Sequence, residues 1–272
     1  MYDYNQLKND IELLSSSYDL TDIFSIGDSV KGRKLYTVKF GTGKKEVYYN
    51  GAHHGLEHIT SKLLMKFIFD LCYSYNKNIK LRGCNLKDLY EKSSIYITPM
   101  VNPDGVEMSK RLKDWQANAR GVDLNHNYDA MWKRGKIEIA RQGISKPGPT
   151  KYSGPYPFSE PETKAVANFT VKHNFDYVVA FHSQGEVIYW KYGPTIPDES
   201  VILANAMSKV SGYALDETSG TASYSGYKDW FIKTYNKPGF TVEVGKGTNP
   251  ISENQLPKIY NDILELLLLV GV

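Results

Sequence analysis

The alternation of strand-like and helix-like segments limits the fold of this chain more than any other feature. Apolar and β-branched runs typical of strands occupy residues 34–40, 46–50, 94–100, 177–181, 187–190 and 240–244. Segments with apolar side chains at helical spacing occupy residues 3–15, 59–73, 159–173, 198–208 and 229–234, and a last one follows residue 252. Strands that alternate with helices build a sheet covered on both faces. We therefore predict one α/β domain over residues 1–272, with a central, mixed, twisted sheet flanked by helices.

Three short sequence segments predict particular structural elements. The Gly-Thr-Gly turn at residues 41–43 predicts a hairpin between the first two strands, which would make the sheet mixed. Residues 102–158 are polar and rich in Gly and Pro, which predicts a long loop region of functional importance. Ser-Glu-Pro-Glu at residues 159–162 predicts a capping box at the start of the next helix.

Composition excludes several classes of function. The net charge of +3 is small and no basic run exceeds two residues, so a nucleic-acid partner is not expected. The apolar run at residues 266–270 is far shorter than the about 20 residues that span a bilayer, so membrane insertion is not expected either. The N-terminus does not resemble a signal peptide, which favours a cytoplasmic location, with release to the cell wall or spore as the alternative. Two cysteines provide no disulfide framework and no thiolate metal pair, so a metal would need His and carboxylate ligands.

A cluster of histidines follows the predicted strand at residues 46–50. Within it, His54 and Glu57 stand three residues apart and would project from one face of a helical turn. Zinc accepts imidazole nitrogen and carboxylate oxygen, and a catalytic site keeps one position open for water. A third ligand must come from elsewhere, and His182 is the best candidate because it ends the apolar strand at residues 177–181. The carboxyl ends of strands are where active residues gather in such sheets.

A purely structural role is the alternative for each of these residues, since a His-x-x-Glu pair alone has many chance matches. The remaining histidines nearby, including His53 and His58, have no second supporting feature and are assigned no metal role. Glu243 places a carboxylate inside the apolar strand at residues 240–244, where a charge is costly unless it is paired or functional. Beside a metal it would have the position of a general base, and the alternative is a solvent-facing strand residue.

Five motifs stand in order along the chain. They are Asn-Gly-Ala-His-His-Gly-Leu-Glu-His-Ile-Thr at residues 50–60, Pro-Met-Val-Asn-Pro-Asp-Gly at 99–105, Gly-Val-Asp-Leu-Asn at 121–125, Phe-His-Ser at 181–183, and Asp-Trp at 229–230 followed by Glu243. Together they resemble the motifs of the zinc carboxypeptidases of the carboxypeptidase A type, over most of the chain. Each motif is weak alone, but five in register are strong evidence.

The resemblance implies one zinc ion held by His54, Glu57 and His182. It implies that Glu243 activates the zinc-bound water and passes the proton to the leaving amine, while zinc polarises the scissile carbonyl. It also implies that Asp123 accepts a hydrogen bond from the far ring nitrogen of His54 and so fixes its tautomer.

The family's arginines are harder to place in this sequence. Arg120 is the first candidate for the arginine that stabilises the oxyanion, and Arg111 is its competitor; a solvated surface role is the alternative for both. The family pattern Asn-Arg-Asn, whose arginine clamps the substrate's terminal carboxylate, is replaced by Asn-His-Asn, with Asn125 and His126 as the expected substrate contacts. Because histidine lacks the guanidinium fork, this departure argues against a plain carboxypeptidase that acts on ordinary C-termini.

The family's tyrosine that closes over the substrate has no clear counterpart. Thr221 lies at the position that simple spacing gives it. Tyr224 and Tyr227 are the nearby residues that would take over substrate contact.

Three longer strings, at residues 181–190, 223–231 and 239–250, resemble the bacterial γ-D-glutamyl-diamino-acid peptidases. That resemblance implies cleavage of murein stem peptides between γ-D-glutamate and meso-diaminopimelate, whose extra amine and carboxylate are compatible with an anchor other than arginine. Relatives often carry wall-binding repeats, and none is expected here. The alternatives are a zinc carboxypeptidase of broader range, an amide deacylase of the same superfamily, or a murein-peptide binding protein without turnover. The complete ligand set and Glu243 argue against the last.

Overall fold

An eight-stranded sheet crosses residues 1–269, the part of the chain that the computed structural model describes. Its strands in chain order are β1 (Thr21–Asp28), β2 (Lys34–Phe40), β3 (Lys45–Gly51), β4 (Ser93–Thr98), β5 (Tyr177–His182), β6 (Val187–Tyr189), β7 (Ala214–Asp216) and β8 (Gly239–Glu243). Their spatial order is β1-β2-β4-β3-β5-β8-β6-β7. The central strands β4, β3, β5 and β8 are parallel, whereas β2 is antiparallel to both its neighbours and β6 is antiparallel to β8. The predicted mixed sheet is confirmed.

Helices cover this sheet on both faces, as the prediction required. In chain order they are α1 (Tyr4–Ser17), α2 (Ile59–Lys77), α3 (Leu86–Lys92), α4 (Pro103–Ser109), α5 (Trp132–Arg141), α6 (Pro161–Lys172), α7 (Asp198–Ser211), α8 (Tyr227–Tyr235) and α9 (Leu256–Leu268). One face of the sheet packs its apolar side chains with α1, α2, α7 and α9, and the other packs with α6 and α8. Alternate residues of β5 enter the two cores, Val179 one and Val178 the other. The central strands are therefore buried on both sides, which is typical of parallel strands in α/β proteins.

The hairpin predicted between the first two strand-like segments does not form. β2 and β3 are separated by β4, which pairs with both: Ile97 lies opposite Val38 and Ile95 opposite Val47. The Gly-Thr-Gly segment instead crosses the junction of α3 and β4, where a Cβ on Gly43 would lie 1.8 Å from the carbonyl carbon of residue 92. Glycine is needed there for close backbone approach rather than for a two-stranded turn.

Residues 102–158 contain more regular structure than the predicted loop. They include α4, α5 and a 3-10 turn at Leu124–His126. The capping box predicted before α6 is also wrong, because the N-cap is Glu160 and it makes no side-chain capping bond. Instead, the Ser159 hydroxyl donates to the carboxylate of Glu160. The helical segment nevertheless starts where expected, with a proline in its first turn.

The C-terminal apolar run forms the buried side of α9. Leu266, Leu267 and Leu268 are buried in the larger core, while residue 270, the last of the predicted run, lies outside the described residues. In residues 1–269, none of the helices combines the length and apolar character that crossing a membrane requires.

Candidate metal centre and active site

The carboxyl ends of three parallel strands converge at one edge of the sheet. Gly51 of β3 lies opposite Phe181 of β5, and His182 of β5 lies directly opposite Glu243 of β8. The segment that leaves β3 turns over this edge and carries His54. The strand ends thus bring together residues more than 180 positions apart in the sequence, as the rule for ligand sites in α/β sheets predicts.

The segment after β3 is held in place by the Asn-Pro-Asp-Gly motif. The side-chain amide of Asn102 donates to the carbonyl oxygens of His53 (3.0 Å) and Gln116 (3.1 Å). Gly55 begins a 3-10 turn over Gly55–Glu57 and packs against α4 so closely that a Cβ would lie 2.4 Å from the carbonyl carbon of Gly105. The motif therefore supports the histidine-bearing segment from behind.

Three side chains point their donor atoms at a common centre. His54 Nδ1 lies 2.8 Å from Glu57 Oε1, and His182 Nδ1 lies 2.8 Å from Glu57 Oε2. All three ligand atoms lie within 4.8 Å of one another. Two imidazole nitrogens and one carboxylate are the donor set of catalytic zinc sites that keep a position open for water. The residues present therefore fit a zinc ion.

The charges of this cluster depend on one another. Burial alone raises the pKa of Glu57, but the charges of His54 and His182 outweigh this effect and lower it to about 2. Burial alone lowers the pKa of His54, whereas the carboxylates of Glu57 and Asp123 raise it well above its usual range. Glu57 is thus held ionised, the state in which a carboxylate binds a metal.

Asp123 lies on the far side of His54. Its Oδ1 lies 3.1 Å from His54 Nε2, and its Oδ2 accepts a hydrogen bond of 2.8 Å from the backbone N–H of Lys151. Burial raises the pKa of Asp123, but the charges of His54 and His126 lower it below its usual range. A carboxylate at Nε2 leaves Nδ1 free to face the metal position, which is the contact that the sequence resemblance implied.

Glu243 lines a cavity of about 330 Å³ together with His54 and Asp123. Burial, followed by the charge of Glu57, raises the pKa of Glu243 well above its usual range. A cation at the three-ligand position would oppose this rise, because it would stabilise the ionised carboxylate. Glu243 therefore occupies a position from which it can exchange a proton with a molecule bound in the cavity.

The two predicted contacts near residue 125 also line this cavity. Asn125 Oδ1 accepts a hydrogen bond of 3.1 Å from the backbone N–H of Tyr227, which fixes the amide. Burial lowers the pKa of His126, so this histidine does not supply the permanent charge of an arginine.

The two predicted tyrosines do not reach the cavity. Tyr227 is fully buried in the core under the sheet, and its hydroxyl lies 2.9 Å from that of Thr170. Tyr224 lines an adjoining groove, with its ring 5.2 Å from the guanidinium of Arg134. The structure therefore does not bring Tyr227 to the cavity, and Tyr224 borders the neighbouring groove instead.

The two candidate arginines are also elsewhere. The Arg120 guanidinium is 55% exposed and lies 3.6 Å from the carboxylate of Glu160, and Arg111 is exposed. No arginine is found among the described residues that line the cavity. This placement does not support the oxyanion role expected for Arg120.

Several cavity residues were not found by sequence reasoning. They include Gln116, Thr150, Lys151, Tyr189, Lys228 and Thr241, while Asp229 was noted as part of a motif but given no role in the site. Of these, Lys228 and Asp229 carried a readable signal, since they place two opposite charges side by side where an otherwise apolar helix begins. The residues from the loops after α4 carry no periodic pattern that would single them out.

The fold and the site together define the class of enzyme. A second carboxylate beside two histidines and a glutamate, at the carboxyl edge of a mixed α/β sheet, is the arrangement of a zinc metallohydrolase. Comparison with known families agrees, since residues 8–265 match the zinc carboxypeptidase model. The chain belongs to the zinc carboxypeptidase family, and it is a metallopeptidase that uses one zinc ion.

Comparison with individual proteins shows how similar this chain is to particular enzymes. The chain is 36% identical over 288 aligned positions to γ-D-glutamyl-L-diamino acid endopeptidase 1 of Lysinibacillus sphaericus, covering 98% of this chain and 71% of that protein. It is 29% identical to human (Homo sapiens) carboxypeptidase A6, over 83% of this chain and 55% of that one. The crystal structure of thrombin-activatable fibrinolysis inhibitor superposes with a TM-score of 0.84 at 22% identity, over 99% of this chain and 73% of that chain, which confirms the fold.

Proposed function

We propose that this protein hydrolyses the amide bond between γ-D-glutamate and meso-diaminopimelate in murein stem peptides. The observation that carries the proposal is the 36% identity, over 98% of this chain, to an enzyme named for cleaving γ-D-glutamyl-L-diamino acid bonds. The lining of the cavity supports it, because His126 stands at the expected position of a carboxylate-clamping arginine. A substrate with further amine and carboxylate groups offers other anchors.

In the proposed reaction, His54 and His182 present Nδ1, and Glu57 presents its carboxylate, to one zinc ion. When bound there, zinc supplies a Lewis acid that polarises the scissile carbonyl and acidifies a water molecule. Asp123 holds the His54 ring by its Nε2 at 3.1 Å, so that Nδ1 keeps its orientation.

Glu243 is the proposed general base and acid. Its carboxylate takes a proton from the attacking water and delivers that proton to the nitrogen of the leaving diamino acid. Partial burial favours this role, since a carboxylate with a raised pKa is a stronger base than one in water.

A broader-range carboxypeptidase is the competing function, favoured by the 29% identity to carboxypeptidase A6. The two functions demand different substrates. A carboxypeptidase needs a free C-terminal carboxylate beside the cleaved bond, whereas the proposed enzyme needs a γ-linked D-glutamate on the acyl side.

The test compares two substrates on the zinc-loaded protein. L-Ala-γ-D-Glu-meso-diaminopimelate should be cut to L-Ala-D-Glu and free diaminopimelate, identified by mass spectrometry, while a hippuryl dipeptide should be cut at least about tenfold less efficiently. Efficient cleavage of the hippuryl dipeptide with no cleavage of the tripeptide would reject the proposal in favour of the carboxypeptidase.

The assignment of Glu243 has its own test. Glu243→Gln should lower kcat by about a hundredfold or more on the tripeptide, the usual contribution of a general base, while zinc content stays at one ion per chain. Glu12→Gln, the same substitution at an exposed position on α1, serves as the matched control. Unchanged hydrolysis by a zinc-loaded Glu243→Gln protein would show that another group moves the proton.

A further inference from the structure

The cavity holds a pair of opposite charges that the proposed reaction does not use. Lys228 and Asp229 stand next to each other at the start of α8, are 2% and 1% exposed, and line the same cavity as His54 and Glu243. We propose that this pair recognises the amino-carboxylate end of the substrate's diamino acid, with Lys228 binding the carboxylate and Asp229 binding the ammonium. The inference rests on the proposed function and names the part of the substrate that the cavity selects.

The hydrogen bonds of the pair leave room for a ligand. Lys228 Nζ donates to Asp229 Oδ1 and, at 2.7 Å, to the carbonyl oxygen of Lys191, which uses two of its three N–H groups. Within residues 1–269, Asp229 Oδ2 receives no hydrogen bond. One donor and one acceptor atom of opposite charge therefore remain unused, side by side, in the cavity wall.

The backbone keeps the space in front of this pair open. A Cβ on Gly226 would lie 3.0 Å from Asp229 Oδ2 and 3.4 Å from Asn125 Oδ1, so a side chain at this position would crowd both atoms. On the other side, the stem of Lys228 packs on β8, where a Cβ on Gly239 would lie 3.4 Å from Lys228 Cγ. The pair is therefore fixed to the same strand that carries Glu243, which sets its position relative to the proposed base.

Stability alone is a weak reason to keep such a pair. The residues that follow on α8, from Trp230 to Ile232, are buried and apolar, and an apolar pair at 228 and 229 would avoid the desolvation cost of two charges. An amino-carboxylate group carries its positive and negative charges on one carbon, so it can meet both unused atoms at once and leave every charge paired.

This arrangement distinguishes between diamino acids. A lysine side chain would offer an ammonium to Asp229 but no carboxylate to Lys228, and a site that hydrogen-bonds a substrate group rejects the analogue that lacks it. The other charges around the cavity include Glu217, whose side chain is 63% exposed and paired with Lys191, and such exposed groups discriminate little. We therefore expect selection for diaminopimelate over lysine to depend on residues 228 and 229.

The test measures kcat and KM for three tripeptides that differ only in the last residue: meso-diaminopimelate, its analogue amidated at the distal carboxylate, and L-lysine. The wild-type protein should favour diaminopimelate over both analogues by at least about tenfold in kcat/KM, mostly through KM. This comparison needs no variant. Lys228→Met should lose the preference, so that the three substrates differ by less than about threefold, and Lys228→Arg should restore it in part. Zinc content and thermal unfolding report whether each variant is folded.

Two results would overturn the inference while the proposed function stands: equal cleavage of all three tripeptides by the wild type, or an unchanged preference in folded Lys228→Met. The second would mean that the pair is only structural. Failure of the wild type to cleave any γ-D-glutamyl peptide would instead reject the proposed function, and the inference with it.

Discussion

Removing the charge of Asp123 should weaken zinc binding without removing a zinc ligand. The carboxylate lies 3.1 Å from His54 Nε2, is 1% exposed, and is itself fixed by the backbone N–H of Lys151 at 2.8 Å. It therefore restrains the ring and makes Nδ1 more basic. Partners of this kind are worth roughly 10- to 100-fold in metal affinity, which corresponds to about 1.4 to 2.7 kcal/mol.

Two variants of Asp123 should remove different shares of this contribution to zinc affinity. Asp123→Asn keeps one oxygen that accepts from His54 and from the N–H of Asn125 (3.2 Å with the native carboxylate). It loses the charge and the second oxygen, which accepts from the N–H of Lys151 at 2.8 Å. We expect zinc affinity to fall about tenfold in this variant. Asp123→Ala also loses the acceptor, and we expect a fall toward about a hundredfold.

The assay is competition for zinc between the metal-free protein and a chromophoric chelator at fixed pH. Asp129→Asn, the same change at an exposed position outside the cavity, should leave the affinity unchanged and serves as the control. If zinc affinity in both Asp123 variants stays within twofold of the wild type, the contact with His54 does not contribute to metal binding and our interpretation of it is wrong.

Three further predictions concern the stability of the fold and the role of Tyr227. Burial raises the pKa of Glu162 to about 7 from 4.5, so the folded state holds a proton there that the unfolded state releases, and the free energy of unfolding falls by up to about 3 kcal/mol as the pH rises through this range. In urea unfolding, Glu162→Gln should show a smaller difference in the free energy of unfolding between pH 5 and pH 8 than the wild type. An unchanged difference would contradict this prediction. Gly55→Ala should lower the free energy of unfolding by about 1–3 kcal/mol, since its Cβ would lie 2.4 Å from backbone, whereas Gly148→Ala, with no atom closer than 3.8 Å, should not. Tyr227→Phe removes the buried hydrogen bond between the hydroxyls of Tyr227 and Thr170, so it should lower the free energy of unfolding in urea by about 1 kcal/mol and leave kcat/KM unchanged. A tenfold fall in kcat/KM would instead support the substrate contact predicted for Tyr227.

The convergence of His182 and Glu243 was predictable because each residue ends a strand of the sheet. All six residues of β5 are buried, so the strand reads as a continuous apolar run with His182 as its first polar residue. Glu243 ends β8, whose other four residues are buried. Apolar runs of this kind locate the carboxyl edge of a parallel sheet without knowledge of strand order, and the edge is where the ligands gather.

Strand order itself was not predictable from the same pattern. The Gly-Thr-Gly segment has the chemistry of a hairpin turn, and only the packing of β4 between its two strands shows that glycine serves close approach there. β1 was missed because it lies at the sheet edge, where its eight residues are intermediate or exposed and show no continuous apolar run. The error about the hairpin concerns a contact between distant parts of the chain, which local propensity does not encode.

The walls of the cavity were the least predictable part. Lys151 reaches it because Asp123 N–H bonds to the carbonyl oxygen of Tyr152 at 2.8 Å, a loop-to-loop contact with no sequence period. Arg120 lies close to Asp123 in sequence, yet its guanidinium turns to Glu160, outside the cavity. Sequence proximity to a motif therefore did not determine which charged side chains face the cavity.

The zinc ligands and the cavity walls lie on different parts of the fold, which affects how such an enzyme can change its substrate specificity. The zinc ligands and Glu243 lie at or directly after the ends of parallel strands, whose register is fixed by the sheet on both sides. The charged pair at residues 228 and 229 belongs instead to α8, and much of the remaining wall comes from loops, which tolerate substitution. Changes in these walls can therefore alter which substrate the cavity accepts while the proposed donor atoms for zinc, held by the strands and by Asp123, keep their positions. A substitution in the sheet edge, in contrast, would disturb metal and base together, because His182 and Glu243 are direct neighbours across two strands.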